Sequence, residues 1–161
     1  FMAQDDDESV INILTGMGVL GKSELAGERV YTALDNQDQE DEHSCFSDNT
    51  HRDVILNFEG IQNVYYGSYT RVNGTVVSGT GFYDIIEKSD KKLNQELADL
   101  FETCNTNVNA MPVPFDYALT LETPGGSGAI NTVVSNLRLL GDKIVEAGAE
   151  LDLTVNAELP E

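Results

Sequence analysis

Positive charge is what this sequence has least of. Nine Lys and Arg stand against 28 Asp and Glu, a formal net charge of −19 with an isoelectric point near 4.1. A chain this acidic repels phosphate backbones and anionic lipid, and it lacks the basic footprint that nucleic-acid binding requires. Nucleic acid is therefore excluded as a main partner. No stretch approaches the eighteen or so apolar residues of a transmembrane helix. Cysteine is scarce, with only Cys45 and Cys104. Two are too few to staple a chain of 161 residues. One disulfide between them is one reading, and two buried thiols is the other. Histidine is scarcer still for its use, because nothing after His51 carries an imidazole.

What remains is enough for a core. Hydrophobic residues make up 40% and charged residues 23%, which is neither a disordered composition nor a fibrous one. The chain starts at Phe1 rather than Met, which reads as a processed, trimmed or partial polypeptide. Residues 1–161 read as a single helical-bundle domain.

Helical periodicity dominates. Val10, Ile13, Met17 and Leu20 recur at helical spacing, interrupted by Gly16, Gly18 and Gly21. Those glycines either weaken the helix or mark close approach by another one. Ser23 reads as the N-cap of a second helix carrying Leu25, Ala26, Val30, Ala33 and Leu34. This helix is extended in the reading through the polar run 35–43. Ser47-Asp48-Asn49 caps a third, with Val54, Phe58, Ile61 and Tyr65 as its stripe. Asn73-Gly74 is a turn signal between two short β-prone pieces, so a small hairpin is expected near residues 69–80. Leu93, Leu97, Leu100 or Phe101, Cys104 and Val108 restore the helical period. A last helix carries Ile130, Val133, Leu137, Leu140, Ile144, Ala147 and Leu151. The fold class that follows is all-α, a bundle of about four main helices with a hairpin insertion.

Chemistry concentrates in one polar block, 40–52, which holds both histidines. Glu40-x-x-His43 has the spacing that places a carboxylate and an imidazole on one face of a helix. Asp48-x-x-His51 repeats it across a cap. Carboxylate and imidazole together suit iron, zinc or manganese. Glu40, Glu42, His43, Asp48 and His51 are thus candidate metal or pocket-lining residues, with Asp38, Asp41, Arg52 and Asp53 supporting them. The alternative is a polar cluster in which both histidines are simply hydrogen-bonded to Asp41, Asp48, Asp53 and Arg52. No H-E-x-x-H motif is present. The acidic run lacks the central Gly and final Glu of a calcium loop. Gly125-Gly126-Ser127-Gly128 is followed by no Lys-Ser/Thr, so it is no phosphate cradle. No catalytic residue is assigned.

Three segments carry a family resemblance. They are the block from Ala33 to Asp53 with its core Asp38-Gln39-Glu40-Asp41-Glu42-His43-Ser44-Cys45-Phe46-Ser47-Asp48-Asn49-Thr50-His51, the run Asn57-Phe58-Glu59-Gly60-Ile61-Gln62-Asn63-Val64-Tyr65, and Pro112-Val113-Pro114-Phe115-Asp116. In this order they resemble the imelysin family, in particular its iron-regulated protein A-like members. The resemblance implies an all-helical protein of two bundle-like halves, exported to the periplasm or outer membrane of Gram-negative bacteria and associated with iron-regulated genes. It also implies a proposed metallopeptidase role. The family's metal motif, Gly-x-His-x-x-Glu, belongs to the first half and is missing here: His43 is followed by Ser-Cys-Phe and His51 by Arg-Asp-Val. The chain therefore resembles the second, C-terminal half. On that resemblance iron or zinc would be held only with the N-terminal half. The implied partner is that half or a second copy of this chain. The function implied is metal or ligand binding linked to iron uptake, without a complete active site; the alternative is half of a metallopeptidase.

Overall fold

The computed structural model describes residues 3–159. Asp5 opens the first helix, its side chain accepting the Glu8 amide at 2.8 Å. Helix α1 (Asp6–Val19) then passes without a break into a π-helical segment, Leu20–Tyr31, and back into α2 (Thr32–Asn36). The expected helix start at Ser23 is absent. Ser23 lies inside the π-helical segment, and its hydroxyl donates to the Ala157 carbonyl at 2.8 Å instead of capping. One rod replaces two helices because no residue between Gly18 and Thr32 breaks the ladder.

Helix α3 (Thr50–Tyr66) buries Val54, Phe58, Ile61 and Tyr65, and Gly67 ends it with φ 60°. The hairpin follows as β1 (Ser68–Thr70) and β2 (Val76–Ser78), antiparallel, with Tyr69 opposite Val77. Gly74 turns it at φ 81°, donating to the Arg71 carbonyl at 2.8 Å. Helix α4 (Phe82–Ser89) leads into α5 (Lys91–Ala110), capped by Asp90. Then come the short α6 (Phe115–Leu119) and the long α7 (Ala129–Glu150). Counting the first rod once, the described residues form six helices, four of them long.

The four long rods close on one another. The first rod packs on α7, α7 on α5, α5 on α3, and α3 back on the first rod. One continuous core fills the interior, with Leu25, Leu97, Phe101, Phe115 and Leu137 fully buried. Tyr65 stacks on Phe101 at 4.3 Å, and its hydroxyl donates to Asn94 Oδ1 at 2.7 Å. Two of the three early glycines serve this packing. Gly18 faces Ile144 and Ala157, and Gly21 faces Ile61 and Leu137. Gly16 faces open space, in an apolar groove of about 230 Å³ lined also by Ile13, Met17, Leu20, Gly60 and Val64. Among the described residues no helix is long and apolar enough to cross a membrane.

Candidate functional site

The polar run does not continue the second helix. Gln37 takes a left-handed conformation (φ 51°) and stops α2 at Asn36. Two short 3-10 turns, Gln39–Asp41 and Cys45–Ser47, interrupt the loop that follows. Glu40 lies in the first turn and His43 beyond it, both exposed, so the Glu40-x-x-His43 spacing places them on no common helical face. Asp38 caps the turn by accepting the Glu40 amide at 2.9 Å. Asp41 accepts from the Asn36 side chain at 2.7 Å. The loop is tied to the bundle by Gln37, whose amide donates to the carbonyls of Leu34 and Glu122, and by Gln39, which donates to the Asp116 carbonyl at 3.2 Å.

The second spacing straddles a helix start. Asp48 is left-handed (φ 49°), Asn49 occupies the cap position of α3, and His51 follows in its first turn. The Ser44 amide donates to Thr50 Oγ1 at 2.9 Å, and the Ser44 hydroxyl donates to Asp53. The Asp53 carbonyl also accepts from Asn57, which in turn accepts from Arg29 at 2.7 Å. Asp53 is thus a structural staple. Arg52 is exposed and makes no ion pair among the described residues. Cys45 and Cys104 are both free. Cys104 is sealed in the core face of α5, where burial pushes its thiol up to about 12, whereas Cys45 is half-buried in the polar loop.

Glu42 behaves differently from every other acid of the block. Its side chain is buried, at 5% exposure, and its Oε2 has no hydrogen-bond partner. Burial raises its carboxyl above the ordinary range. The Thr50 hydroxyl opposes that shift, Asp116 and Asp48 add to it, and His51 opposes it. His51 Nδ1 is likewise buried with no partner. A buried acceptor left unpaired costs about 1–3 kcal/mol, so two in one cluster require an explanation. Neither histidine follows the hydrogen-bonded alternative: His43 is exposed, and His51 Nδ1 is unpaired. Thr50 and Asp116, which shape the surroundings of Glu42, lie in the segments that carry the resemblance but are not among the candidate site residues. Each carries a polar group that no periodicity identifies. A cleft of about 330 Å³ opens beside the block, lined by Gln37, Asp38, Gln39, Glu40, Leu119 and Thr120.

A metal is the group this donor chemistry suggests, and the fit is partial. Among the described residues no three His, Cys, Asp or Glu side chains converge to hold an ion. The two unpaired atoms of Glu42 and His51 are one oxygen and one nitrogen donor, short of the three or four that zinc sites use.

Comparison with known proteins gives a consistent picture. The family model described as Peptidase_M75: Imelysin matches residues 1–144. No curated protein matches. The structure is similar to that of an imelysin peptidase from Bacteroides ovatus, with a TM-score of 0.62 at 15% identity. The similarity covers 93% of this chain and 43% of that one, so the chain spans less than half of that relative's length. At this identity the likeness is one of fold.

Proposed function

The chain belongs to the imelysin family, and from that premise we propose that it acts as the C-terminal half of an iron-regulated bacterial envelope protein, lending pocket residues to a site that it does not complete alone. The observation that carries the reading is the pair of buried, unpartnered atoms, Glu42 Oε2 and His51 Nδ1, in a cluster with no third converging ligand. Such atoms take a partner that this chain's own side chains do not supply, whether water, an ion or another polypeptide. The partner is the N-terminal half carrying Gly-x-His-x-x-Glu, or a second copy. A charge of −19 on each chain disfavours the second copy. The open groove around Gly16 and Gly60 supports an apolar contact surface for that partner. The compartment proposed is the periplasm or the outer membrane.

Mixing the chain with an imelysin N-terminal half tests this. A one-to-one complex in size exclusion with light scattering is expected. A monodisperse, cooperatively unfolding 17.6 kDa monomer that ignores the added half overturns it. A second reading, half of a metallopeptidase, draws support from Glu42, because a buried carboxyl raised above its usual range suits a general base near a metal-bound water. When bound, the metal would supply that activated water. Metal-dependent cleavage of unfolded substrates by the assembled halves is its test, and no cleavage counts against it.

A further inference from the structure

We propose that the cleft beside the π-helical segment binds a small zwitterion, a molecule carrying one carboxylate and one ammonium group. The inference is independent of the reading above, because no residue that lines this cleft belongs to the polar block 40–52. The cleft has a volume of about 470 Å³, within the ordinary range of small-molecule sites. Five of its nine lining residues come from the π-helical stretch Leu20–Tyr31. π-helical bonding occurs mostly as single-turn bulges, frequently at functional sites, and a run of 12 residues goes well beyond one turn. At its end the Thr32 amide donates to the Gly27 carbonyl, five residues back.

The charges on its wall specify the ligand. Lys22, Glu28, Arg138 and Glu158 line the cleft. Lys22 is committed: a Cβ on Gly141 would lie 2.5 Å from that of Lys22, and the ammonium bridges Asp142 at 2.8 Å and Glu158. Glu28 and Arg138 are exposed, and among the described residues they pair neither with each other nor with any other charged group. Exposed charges gain little by meeting, so both stay available to a ligand. Arg138 is oriented for recognition. Its guanidinium carbon lies 4.8 Å from the centroid of the Tyr31 ring, and this stack sets the plane of the group. A planar guanidinium matches a carboxylate through two parallel hydrogen bonds. The Glu28 carboxylate accepts only, and an ammonium group supplies donors to it. A phosphate dianion would meet Glu28, Glu158 and the field of a −19 chain. A simple organic cation would leave Arg138 unused. A net-neutral molecule with both ends suits both residues.

The experiment titrates the intact, ¹⁵N-labelled chain with L-leucine and with glycyl-L-leucine and follows the backbone amides by NMR. Saturable shifts centred on residues 27–32 and 138 are expected with at least one of them. The tighter of the two sets the span between the charges and separates a free amino acid from a peptide. The N-acetyl form of that ligand lacks the ammonium and its amide lacks the carboxylate, and each should bind about tenfold more weakly or worse. Glu28→Gln should weaken the zwitterion to the level of its N-acetyl form and make the two equal. Arg138→Gln should do the same for the zwitterion and its amide, and Arg138→Lys, which keeps the charge without the fork, should recover little of the loss. Both residues are exposed, so these variants keep the fold, and Arg52→Gln should bind as wild type does. No saturable shift with either ligand, shifts centred elsewhere, or blocked forms that bind as well as the zwitterion overturn the proposal. So does a Glu28→Gln variant that still discriminates against the N-acetyl form. Failure of the two halves to associate would instead remove the half-protein reading and leave these outcomes intact.

Discussion

Two glutamates lie in loops that Gln37 ties together, and they are used in opposite ways. Glu122 sits ahead of α7 and spends both oxygens on it. It accepts from the Ile130 amide at 2.8 Å, the Asn131 amide at 3.0 Å and the Asn131 side chain at 2.7 Å. Those amides are among the unpaired donors at the start of a helix, where the dipole also favours a negative charge. Glu42 lies in the loop ahead of α3, is buried, and leaves Oε2 unpaired. Residue type is the same and charge is the same. What differs is how fully the fold supplies donors. A carboxylate with three donors is part of what holds the bundle. One buried with an oxygen left unpaired weakens the bundle, and that oxygen keeps the capacity to receive a group from elsewhere.

Breaking the first member of the pair should have the largest effect. Glu122→Ala leaves the Ile130 and Asn131 amides without their acceptor and removes a charge from the head of α7. A loss of about 2–3 kcal/mol is expected, read as a lower midpoint in urea unfolding with an unchanged slope. A result within a few tenths of wild type would mean that water replaces the carboxylate at no cost.

Gly128→Ala attacks the same clamp from the other side. A Cβ there would lie 2.3 Å from the Glu122 carboxyl carbon, which three hydrogen bonds hold in place. Either the carboxylate or the helix start must shift, at about 1–2 kcal/mol. Combining it with Glu122→Ala should recover most of that loss, because the clash then has no partner. Full additivity of the two would sink the clamp interpretation.

The clamp also shows where sequence reading stops. The stripes Val54–Phe58–Ile61–Tyr65 and Ile130–Val133–Leu137–Leu140–Ile144 were readable because burial on one side of a helix repeats along the chain. Asn73-Gly74 was readable because the turn chemistry is local. Glu122 was not, since its partners are eight and nine residues away, although a helix opening at Gly128 with no side-chain cap is a hint that the acceptor comes from elsewhere. The polar run 35–43 misled for the converse reason. Its residues tolerate a helix, and only the left-handed turn at Gln37 ends it, so a Glu-x-x-His spacing that needs a helix lost its meaning. The block itself was found as a concentration of histidine and carboxylate. Which members are buried and unpaired depends on Thr50, Asp116 and the path of the loop, and these are properties of the fold.

Removing the unpaired carboxylate should reverse the sign of the effect. Glu42→Met keeps the volume and deletes the orphaned oxygen. Stability should be unchanged or rise by up to about 1 kcal/mol, because no hydrogen bond is lost at Oε2 and a desolvation cost disappears. The same substitution at position 122 should cost about 2 kcal/mol, since there the donors remain. A loss of similar size at both sites would mean that Glu42 is anchored as firmly as Glu122, and the contrast between them would collapse.

The smallest effect is the pH dependence that separates Glu42 from the exposed acids. Its carboxyl is raised above the ordinary 4.5, chiefly by burial, so between 4.5 and the raised value the folded chain holds a proton that the unfolded chain has released. Stability from this group therefore falls as pH rises through that window and is level above it. Glu96 runs the other way. Lys143 first and Lys92 second hold it down to about 2, so its contribution is complete above 4.5 and is lost as pH falls toward 2. In the whole chain the second behaviour masks the first. Subtracting the unfolding free energies of Glu42→Gln from those of wild type, measured at a series of pH values, cancels Glu96 and leaves Glu42 alone. The difference should be largest in favour of wild type below pH 4.5 and should decline as pH rises from there and the carboxyl ionises in the fold. A flat difference, or one that rises with pH, would mean that Glu42 is stabilised in its charged form and that Oε2 has found a donor.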